Sequence, residues 1–187
     1  PELGSGQREA IACAKRVANP GCHATGFISI VAPLVQAGAL PADADLACFS
    51  LTGYSGGGKK MIAQYEAPDR DEALSSPAIY AITQDHKHLP EMQKICGLAK
   101  PPVFSPIVDD YYKGMATTVP LHLSQLRGVT GLRQVWQVYA DHYGTYDGRR
   151  LVYVAGDPTD PEGGVEAGAK LYGNAKAGQD DLVLIVA

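Results

Sequence analysis

The stretch from Ala18 to Gly26 most constrains the fold of this chain, because a tight turn there leads directly into a long helical pattern. Asn19-Pro20-Gly21 is turn chemistry, since proline fixes one φ angle and glycine permits positive φ. Downstream of Thr25 the apolar residues recur at i, i+3, i+4, i+7 and i+8, the spacing of one helix face: Phe27, Ile30, Val31, Leu34 and Val35. The sequence therefore predicts that a buried helix begins at or just after Cys22.

The position of Cys22 at this helix start predicts a reactive thiol. The first N–H groups of a helix lack partners inside the helix, and together with the helix dipole they favour negative charge. A thiol placed there ionises more readily, and the thiolate is the nucleophile. We therefore predict that Cys22 performs covalent chemistry on a substrate that the rest of the chain positions.

The other cysteines, Cys13, Cys48 and Cys96, are expected to be small buried hydrophobic side chains. The four cysteines form no Cys-x-x-Cys pair, which argues against a zinc ribbon or a thioredoxin-like site. Scattered, unpaired cysteines in a globular chain that is not basic are typical of a reducing compartment, so we expect a cytoplasmic protein.

The composition limits the classes of protein to which this chain can belong. A chain of 187 residues suits one domain or one large piece of a bigger enzyme, and a hydrophobic content of 45% is enough for a sizeable core. The net charge of −4 and pI near 5.7 argue against nucleic-acid and polybasic membrane surfaces. No apolar run approaches the ~18 residues of a membrane-spanning helix. The start at Pro1 shows neither an initiator methionine nor a signal peptide, so we expect a piece of a longer protein.

Hydrophobic periodicity predicts an α+β fold, with helices packed on one face of a mixed, largely antiparallel sheet. Helices are expected over 7–17, from Cys22 to a stop at Gly38 with a kink at Pro33, from Pro90 to about 99, and from 130 to about 143. Strands are expected over 46–51, 77–82, 103–108, 115–123, 151–154, 170–173 and 182–186. Residues 53–60 are expected to form a loop.

The glycine-rich residues 53–60 partly match a phosphate-binding loop. The motif fails as a nucleotide-binding loop, because Lys60 stands where Ser or Thr would hold Mg²⁺. Its chemistry still suits an anion cradle, since glycine N–H groups are exposed and side chains add donors: Ser55, Gly56, Gly57, Gly58 and Lys59. A tight turn with solvated lysines is the alternative.

His86 and His88 alternate at the end of a predicted strand, so both imidazoles can face one site. A neutral histidine near Cys22 can act as general acid or base. The alternatives are an exposed loop pair and a metal site, and the absence of a third nearby ligand leads us to predict no metal. Adjacent residues of a turn rarely face each other, so His23 is expected to have no catalytic role.

No dinucleotide fingerprint is found in the sequence. Gly4-Ser5-Gly6 lacks the third glycine, because Glu9 stands there, and no strand precedes it. We expect that any nicotinamide cofactor is bound by a domain outside this chain.

Three stretches together resemble the N-acetyl-gamma-glutamyl-phosphate reductase family, an enzyme family of arginine biosynthesis. They are Asn19-Pro20-Gly21-Cys22-His23-Ala24-Thr25-Gly26, Thr52-Gly53-Tyr54-Ser55-Gly56-Gly57-Gly58-Lys59 and His86-Lys87-His88-Leu89-Pro90-Glu91-Met92. The resemblance covers nearly all of residues 1–187, as the catalytic and dimerisation domain of the family without its Rossmann domain. It implies a fold similar to the catalytic domains of glyceraldehyde-3-phosphate dehydrogenase and aspartate semialdehyde dehydrogenase.

The resemblance implies a function and a set of site residues. Cys22 would attack the acyl phosphate of N-acetyl-glutamyl 5-phosphate, and NADPH would reduce the thioester to N-acetyl-glutamate 5-semialdehyde. His88, or else His86, would handle protons. The Ser55–Lys59 loop would hold the phosphate, and Glu91 and Lys113 would belong to the same substrate-binding set. The family commonly carries Arg-Gly where this chain has Lys113-Gly114, which keeps the charge but loses the bidentate fork.

The implied cofactor is NADP(H), bound mainly by a domain outside the chain, so the piece alone is expected to be inactive. Self-association as a homodimer or homotetramer is also implied. One alternative is an acyl-phosphate reductase like aspartate semialdehyde dehydrogenase. Another is a non-catalytic dimerisation module in which Cys22 is structural. A cysteine–histidine hydrolase is disfavoured, because the sequence supplies no third group to orient the histidine.

Overall fold

The computed structural model describes residues 2–4, 6–144 and 151–187, so Pro1 and Ser5 of the N-terminal stretch lie outside the described residues. A four-stranded mixed sheet of order β2-β3-β1-β4 forms the centre. The central pair β1–β3 is parallel, whereas β2–β3 and β1–β4 are antiparallel. The strands are β1 (Ala47–Gly53), β2 (Ala78–Ile79), β3 (Val103–Asp109) and β4 (Met115–Thr118).

Five α-helices accompany the sheet in the described residues: α1 (Gln7–Cys13), α2 (Cys22–Gln36), α3 (Gly58–Tyr65), α4 (Leu89–Cys96) and α5 (Leu132–Tyr143). Helix α2 packs against α4, α5 and β4. Two small sheets lie towards the C-terminus, one parallel and one antiparallel. Their strands are β5 (Val152–Val154), β6 (Val165–Glu166), β7 (Lys170–Leu171) and β8 (Leu182–Leu184).

Helix α2 is the centre of the core. Phe27, Val31 and Leu34 are fully buried, as the apolar spacing predicted. Pro33 lies inside the helix and cannot donate the hydrogen bond that the Ser29 carbonyl would otherwise receive. The Tyr143 hydroxyl of α5 donates to that carbonyl at 2.7 Å, which satisfies the group that proline leaves free.

The sheet has one covered face and one open face. Along β1 and β3 the residues alternate, so Ser50, Thr52 and Phe104 point into the core beneath the helices. Phe49 and Val103 point to the opposite face, where they are 48% and 61% exposed. The protein therefore carries apolar side chains on a sheet face that no helix of the described residues covers.

Several predicted elements are shorter than the periodicity suggested. Helix α1 ends at Cys13 and buries no residue, so no packing extends it to residue 17. The strand expected over 77–82 pairs only at Ala78 and Ile79, because positive φ at Ala81 and Gln84 turns the chain away. The strand expected over 115–123 ends at Thr118, two residues before Pro120, which has no N–H to donate to a ladder.

The prediction of a loop over residues 53–60 is wrong. A 3-10 turn spans Tyr54–Gly57, and α3 begins at Gly58. The prediction that all three other cysteines are buried is wrong for Cys13, because α1 packs no residue into the core; it is confirmed for Cys48 and Cys96. No helix among the described residues is long and apolar enough to cross a membrane.

Candidate active site

Cys22 is the first residue of α2 and is exposed. The preceding Gly21 is the N-cap residue, and no side chain caps the first N–H groups of the helix. The Gly21 carbonyl accepts hydrogen bonds from the Thr25 N–H at 2.8 Å and from the Thr25 hydroxyl at 3.0 Å. The sulfur is thus presented at a helix N-terminus whose remaining N–H groups are free to stabilise negative charge.

Helix α4 fixes the turn that carries Cys22. Both carboxylate oxygens of Glu91 lie 3.2 Å from the Gly21 nitrogen and accept its N–H. Glu91 is in the first turn of α4, which begins with Leu89 and Pro90 in the arrangement that the sequence predicted. Glu91 at the start of α4 therefore fixes the position of Gly21 at the start of α2.

The His88 ring packs directly on Gly21. A Cβ atom on Gly21 would lie 2.1 Å from the His88 Nε2 atom, so only glycine leaves room for the imidazole at this place. His88 is 6% exposed, and its Nδ1 atom has no hydrogen-bond partner among the residues that the structure describes. A buried imidazole with an unpaired nitrogen therefore lies on the residue next to Cys22.

His86 lies beside His88, with 4.6 Å between the ring centroids. The His86 Nδ1 atom accepts the backbone N–H of His88 at 3.2 Å. A neutral His86 must therefore carry its proton on Nε2. The structure therefore places His88 on the turn that carries Cys22, with His86 beside it.

All three histidines of the site favour the neutral form. Burial and the charge on Lys87 lower the pKa of His86. Burial is also the main cause that lowers the pKa of His88, and the nearby Glu91 carboxylate opposes it. Burial, and then the charges on His88 and His86, lower the pKa of His23 to about 4. Near neutral pH these rings are therefore uncharged, and only a ring with an unengaged acceptor nitrogen can take a proton.

His23 is the residue that the sequence reasoning missed. Its side chain is 2% exposed, and its Nδ1 atom lies 2.6 Å from the Ser50 hydroxyl. Its Nε2 atom lies 2.6 Å from the Tyr80 hydroxyl. The one available signal was Ser50, a polar residue at an inward-facing position of an apolar strand, which requires a buried polar partner.

The glycine-rich segment 53–60 has fewer free backbone N–H groups than the sequence predicted. The N–H groups of Tyr54 and Ser55 donate to the Tyr111 and Tyr112 carbonyls, each at 2.9 Å, and the Gly58 N–H donates to the Ser55 carbonyl. Gly56, Gly57, Gly58 and Lys59 are exposed. Among the described residues no hydrogen bond joins this loop to the Gly21–Cys22 turn.

No hydrogen bond or ion pair among the described residues joins Lys113 to the histidine cluster. The side chain is exposed, and its Nζ atom would lie 3.5 Å from a Cβ on Gly178, in the C-terminal part of the chain. The described residues contain no group of three or more His, Cys, Asp or Glu side chains arranged to hold a metal ion.

A family model described as semialdehyde dehydrogenase, dimerisation domain, matches residues 22–166. The chain belongs to this family. The match begins at Cys22, and it includes the central sheet with α2 to α5.

Curated relatives carry a more specific name. N-acetyl-gamma-glutamyl-phosphate reductase of Chelativorans sp. (strain BNC1) is 45% identical over 148 residues, which are 79% of this chain and 47% of that protein. The protein of the same name from Brucella anthropi is 46% identical over 147 residues, which are 78% and 47%. The resemblance predicted from the three motifs is confirmed. The chain spans about half the length of the curated relatives that it matches.

A solved structure of similar fold is aspartate semialdehyde dehydrogenase from Francisella tularensis. The TM-score is 0.61 at 15% identity, and the likeness covers 98% of this chain and 59% of that one. At this identity the likeness concerns the fold alone. It confirms the predicted α+β architecture around a mixed sheet.

Proposed function

We propose that this chain supplies the acyl-transfer site of an N-acetyl-gamma-glutamyl-phosphate reductase, which reduces N-acetyl-glutamyl 5-phosphate to N-acetyl-glutamate 5-semialdehyde with NADPH. The observation that carries the proposal is Cys22 at an uncapped helix N-terminus, with the buried His88 ring packed on the preceding glycine. The names of the relatives at about 45% identity support the substrate class.

The first chemical step uses only residues of this chain. The Cys22 sulfur attacks the acyl carbon, so a sulfur–carbon bond forms, the carbon–oxygen bond to phosphate breaks, and inorganic phosphate leaves. Free N–H groups at the start of α2 stabilise the oxyanion that develops on the substrate. The product is a thioester on Cys22, which accepts hydride far more readily than a carboxylate does.

His88 is the proposed acid/base residue, with His86 as the alternative. The neutral His88 ring can take the thiol proton as the sulfur–carbon bond forms, and its unpaired Nδ1 atom leaves it capacity to bind one. His86 uses its own Nδ1 atom to accept the His88 N–H and carries its proton on Nε2, so a neutral His86 has no free nitrogen to take the thiol proton. This difference favours His88.

Phosphate binding is proposed at the exposed start of α3, where Gly56–Gly58 and Lys59 are accessible and Ser55 adds a hydroxyl. Lys113 is proposed as a second cation for the substrate. Glu91 is better explained as the carboxylate that holds Gly21, because two negative groups, carboxylate and phosphate, repel each other.

The described residues do not fit a dinucleotide. The connection from β1 through α3 to the parallel strand β3 has a glycine-rich turn, but its Tyr54 and Ser55 N–H groups already donate to backbone carbonyls. NADPH would supply hydride when bound elsewhere in the full-length protein.

The acyl-transfer proposal can be tested without the cofactor. Incubation of the chain with N-acetyl-glutamyl 5-phosphate should release one equivalent of phosphate and add the acyl mass to Cys22, and neutral hydroxylamine should remove that mass. Cys22→Ser should give less than about 1% of the adduct. Equal acylation of the parent and Cys22→Ser chains would contradict the proposal.

The same assay separates the alternatives. Faster acylation by aspartyl phosphate would favour a reductase like aspartate semialdehyde dehydrogenase. No acylation by either compound, in a folded chain, would favour a non-catalytic dimerisation module. In a full-length enzyme, Cys22→Ser should abolish reduction and leave NADPH binding intact.

We also propose that the open sheet face binds a second copy of the chain. The matched family is described as a dimerisation domain, and this face carries Phe49 and Val103, with Ile79 at the edge paired to Ile107. Apolar side chains exposed together mark an interface.

A charge on this face should weaken self-association. Val103→Asp should raise the dimer dissociation constant at least about tenfold, because a buried unpaired carboxylate is costly. Val17→Asp is the matched control, since Val17 is 55% exposed and outside the sheet. Sedimentation velocity over a concentration series measures the constant, and equal constants for the two variants would exclude this face.

A further inference from the structure

The turn between β3 and β4, residues 110–114, holds the segment for which phosphate binding is proposed. Strands β1 and β3 are parallel neighbours, so the segments that follow them leave the same edge of the sheet. Three N–H groups donate to carbonyl oxygens of the turn: Gly53 to Gly114 at 3.1 Å, Tyr54 to Tyr111 at 2.9 Å and Ser55 to Tyr112 at 2.9 Å. The position of the Ser55–Lys59 segment therefore depends on the position of the 110–114 turn.

Arg70, which follows α3 in the chain, is bound to this turn by two parallel hydrogen bonds. Its Nη1 and Nη2 atoms donate to the two carboxylate oxygens of Asp110 at 2.8 and 2.6 Å. Nη1 also donates at 3.2 Å to the carbonyl of Tyr65, the last residue of α3. Nη2 also donates at 3.1 Å to the Ser75 hydroxyl. One guanidinium thus joins the end of α3 to the 110–114 turn.

These contacts leave Arg70 little capacity to bind a substrate itself. A guanidinium has five N–H donors, and four hydrogen bonds to neighbouring protein groups engage them here. An isolated ion pair at the surface contributes little, but a bidentate pair with further hydrogen bonds fixes geometry. We therefore expect Arg70 to act on a substrate through the groups that it holds.

Aromatic contacts join the same parts of the molecule. The Tyr54 ring stacks on the Tyr65 ring, with 4.6 Å between the centroids and 11° between the planes. The Tyr112 ring of the turn meets the Tyr54 ring edge-on at 5.7 Å. Because Tyr54 precedes α3 and Tyr65 ends it, the chain on both sides of this helix is held against the 110–114 turn.

We propose that Arg70 is a positioning residue for substrate phosphate. Through Asp110 and Tyr65 it fixes the 110–114 turn and the end of α3, and it thereby keeps the Ser55–Lys59 segment in the arrangement that binds the anion. This inference rests on the proposed function, because it concerns the phosphate of that reaction.

The first test is the substrate dependence of Cys22 acylation in Arg70→Lys. Lysine keeps the charge but lacks the planar fork, so the turn and the end of α3 lose their common anchor. The concentration of N-acetyl-glutamyl 5-phosphate that half-saturates the reaction should rise about five- to tenfold. The maximal rate should stay within about twofold, since Cys22 and His88 lie at the starts of α2 and α4. Phosphate release over a concentration series measures both quantities.

Asp110→Asn distinguishes positioning from a direct effect of charge. Loss of this carboxylate makes the surroundings more positive, so an effect of charge alone would lower the half-saturating concentration of the anionic substrate. Positioning predicts a rise, as in Arg70→Lys. Asp45→Asn is the matched control, because Asp45 pairs with Lys100 near the opposite end of β1. It should remain within about twofold of the parent.

Hydrogen exchange gives a measurement that needs no substrate. Exchange at the Ser55 amide should accelerate in Arg70→Lys and Asp110→Asn, because its acceptor lies on the loosened turn, and should not change in Asp45→Asn. Circular dichroism and thermal unfolding verify that all variants are folded.

The outcomes separate the inference from the proposed function. If the parent chain is not acylated, the proposed function fails and the inference fails with it. If the parent is acylated and Arg70→Lys leaves the half-saturating concentration within about twofold, only the inference is overturned. Tighter binding in Asp110→Asn, or an equal rise in Asp45→Asn, would likewise overturn the inference alone.

Discussion

Gly21 is the residue on which the candidate active site converges. Its N–H is held by Glu91, its carbonyl is held by Thr25, and its Cα hydrogens face the His88 ring. Its φ of −65° is accessible to any residue, so what requires glycine is space rather than backbone conformation. A side chain at this position would therefore have to displace the His88 ring.

Gly21→Ala should displace the His88 ring, because the new Cβ would overlap its Nε2 atom. We expect acylation of Cys22 to slow about 10- to 100-fold, since small misplacements of catalytic groups have costs of this order. Gly131→Ala is the matched control: Gly131 is also a helix N-cap with extended backbone, and a Cβ there meets no atom within 4 Å. Comparable rates for the two variants would show that His88 does not act on Cys22.

Among single residues, the sequence predicted those site residues that are marked by their immediate neighbours in the chain. Cys22 follows turn residues, and the spacing of His86 and His88 is visible along the chain. The buried, hydrogen-bonded position of His23 was not predictable in this way, since its partners Ser50 and Tyr80 are 27 and 57 residues away. Only the fold reveals that a residue next to the nucleophile points into the core.

Strand β2 is extended by a side chain. After Ala78 and Ile79 pair with β3, the Tyr80 N–H donates to the Pro106 carbonyl. The Gln84 amide then takes the place of a strand at Phe104: its Oε1 atom accepts the Phe104 N–H and its Nε2 atom donates to the Phe104 carbonyl, both at 2.8 Å. This clip ties down the segment that carries Tyr80, His86 and His88.

Gln84→Ala should remove both hydrogen bonds of the clip and leave the Phe104 N–H unpaired. The free energy of unfolding should fall by about 2 kcal/mol, at about 1 kcal/mol for each bond. Hydrogen exchange should accelerate at the Phe104 amide. Gln137→Ala is the control, because within the described part of the chain the Gln137 side chain bonds only the exposed Asp141 carboxylate. An unchanged exchange rate at Phe104 would contradict the role of the clip.

The long elements of the fold were predictable and the short ones were not. Helix α2, strand β3 and helix α4 carry strong apolar periodicity with turn residues at their ends, and they begin where expected. Strand β2 is defined by pairing with distant residues, so its two-residue length has no local signal. Helix α3 was not predicted, because the glycines and lysines at its start are typical of a loop.

The buried histidine should make the whole molecule sensitive to acid. Burial lowers the pKa of His23 from its ordinary value of 6.5 to about 4 in the fold, so between these pH values the unfolded chain binds one more proton than the folded chain. Stability from the neutral ring is fully present above pH 6.5 and is lost as the pH falls towards 4. At 1.36 kcal/mol per unit the loss is up to about 3 kcal/mol.

His23→Gln should remove this dependence, because glutamine does not titrate. Urea unfolding at pH 7.0 and 4.5 should show a smaller loss of stability for His23→Gln than for the parent chain. His122→Gln, at an exposed histidine, should behave as the parent does. A parent-like loss in His23→Gln would show that other groups cause the acid sensitivity.

The hydrogen bond that compensates for Pro33 in α2 also determines when this helix can be completed during synthesis. The Ser29 carbonyl is satisfied by Tyr143, which lies 114 residues later in the chain. At a synthesis rate of about 5–20 residues per second, that partner leaves the ribosome on the order of ten seconds after Ser29. The helix that presents Cys22 is thus completed late during translation. A nascent chain holds an accessible thiol before it holds a finished site.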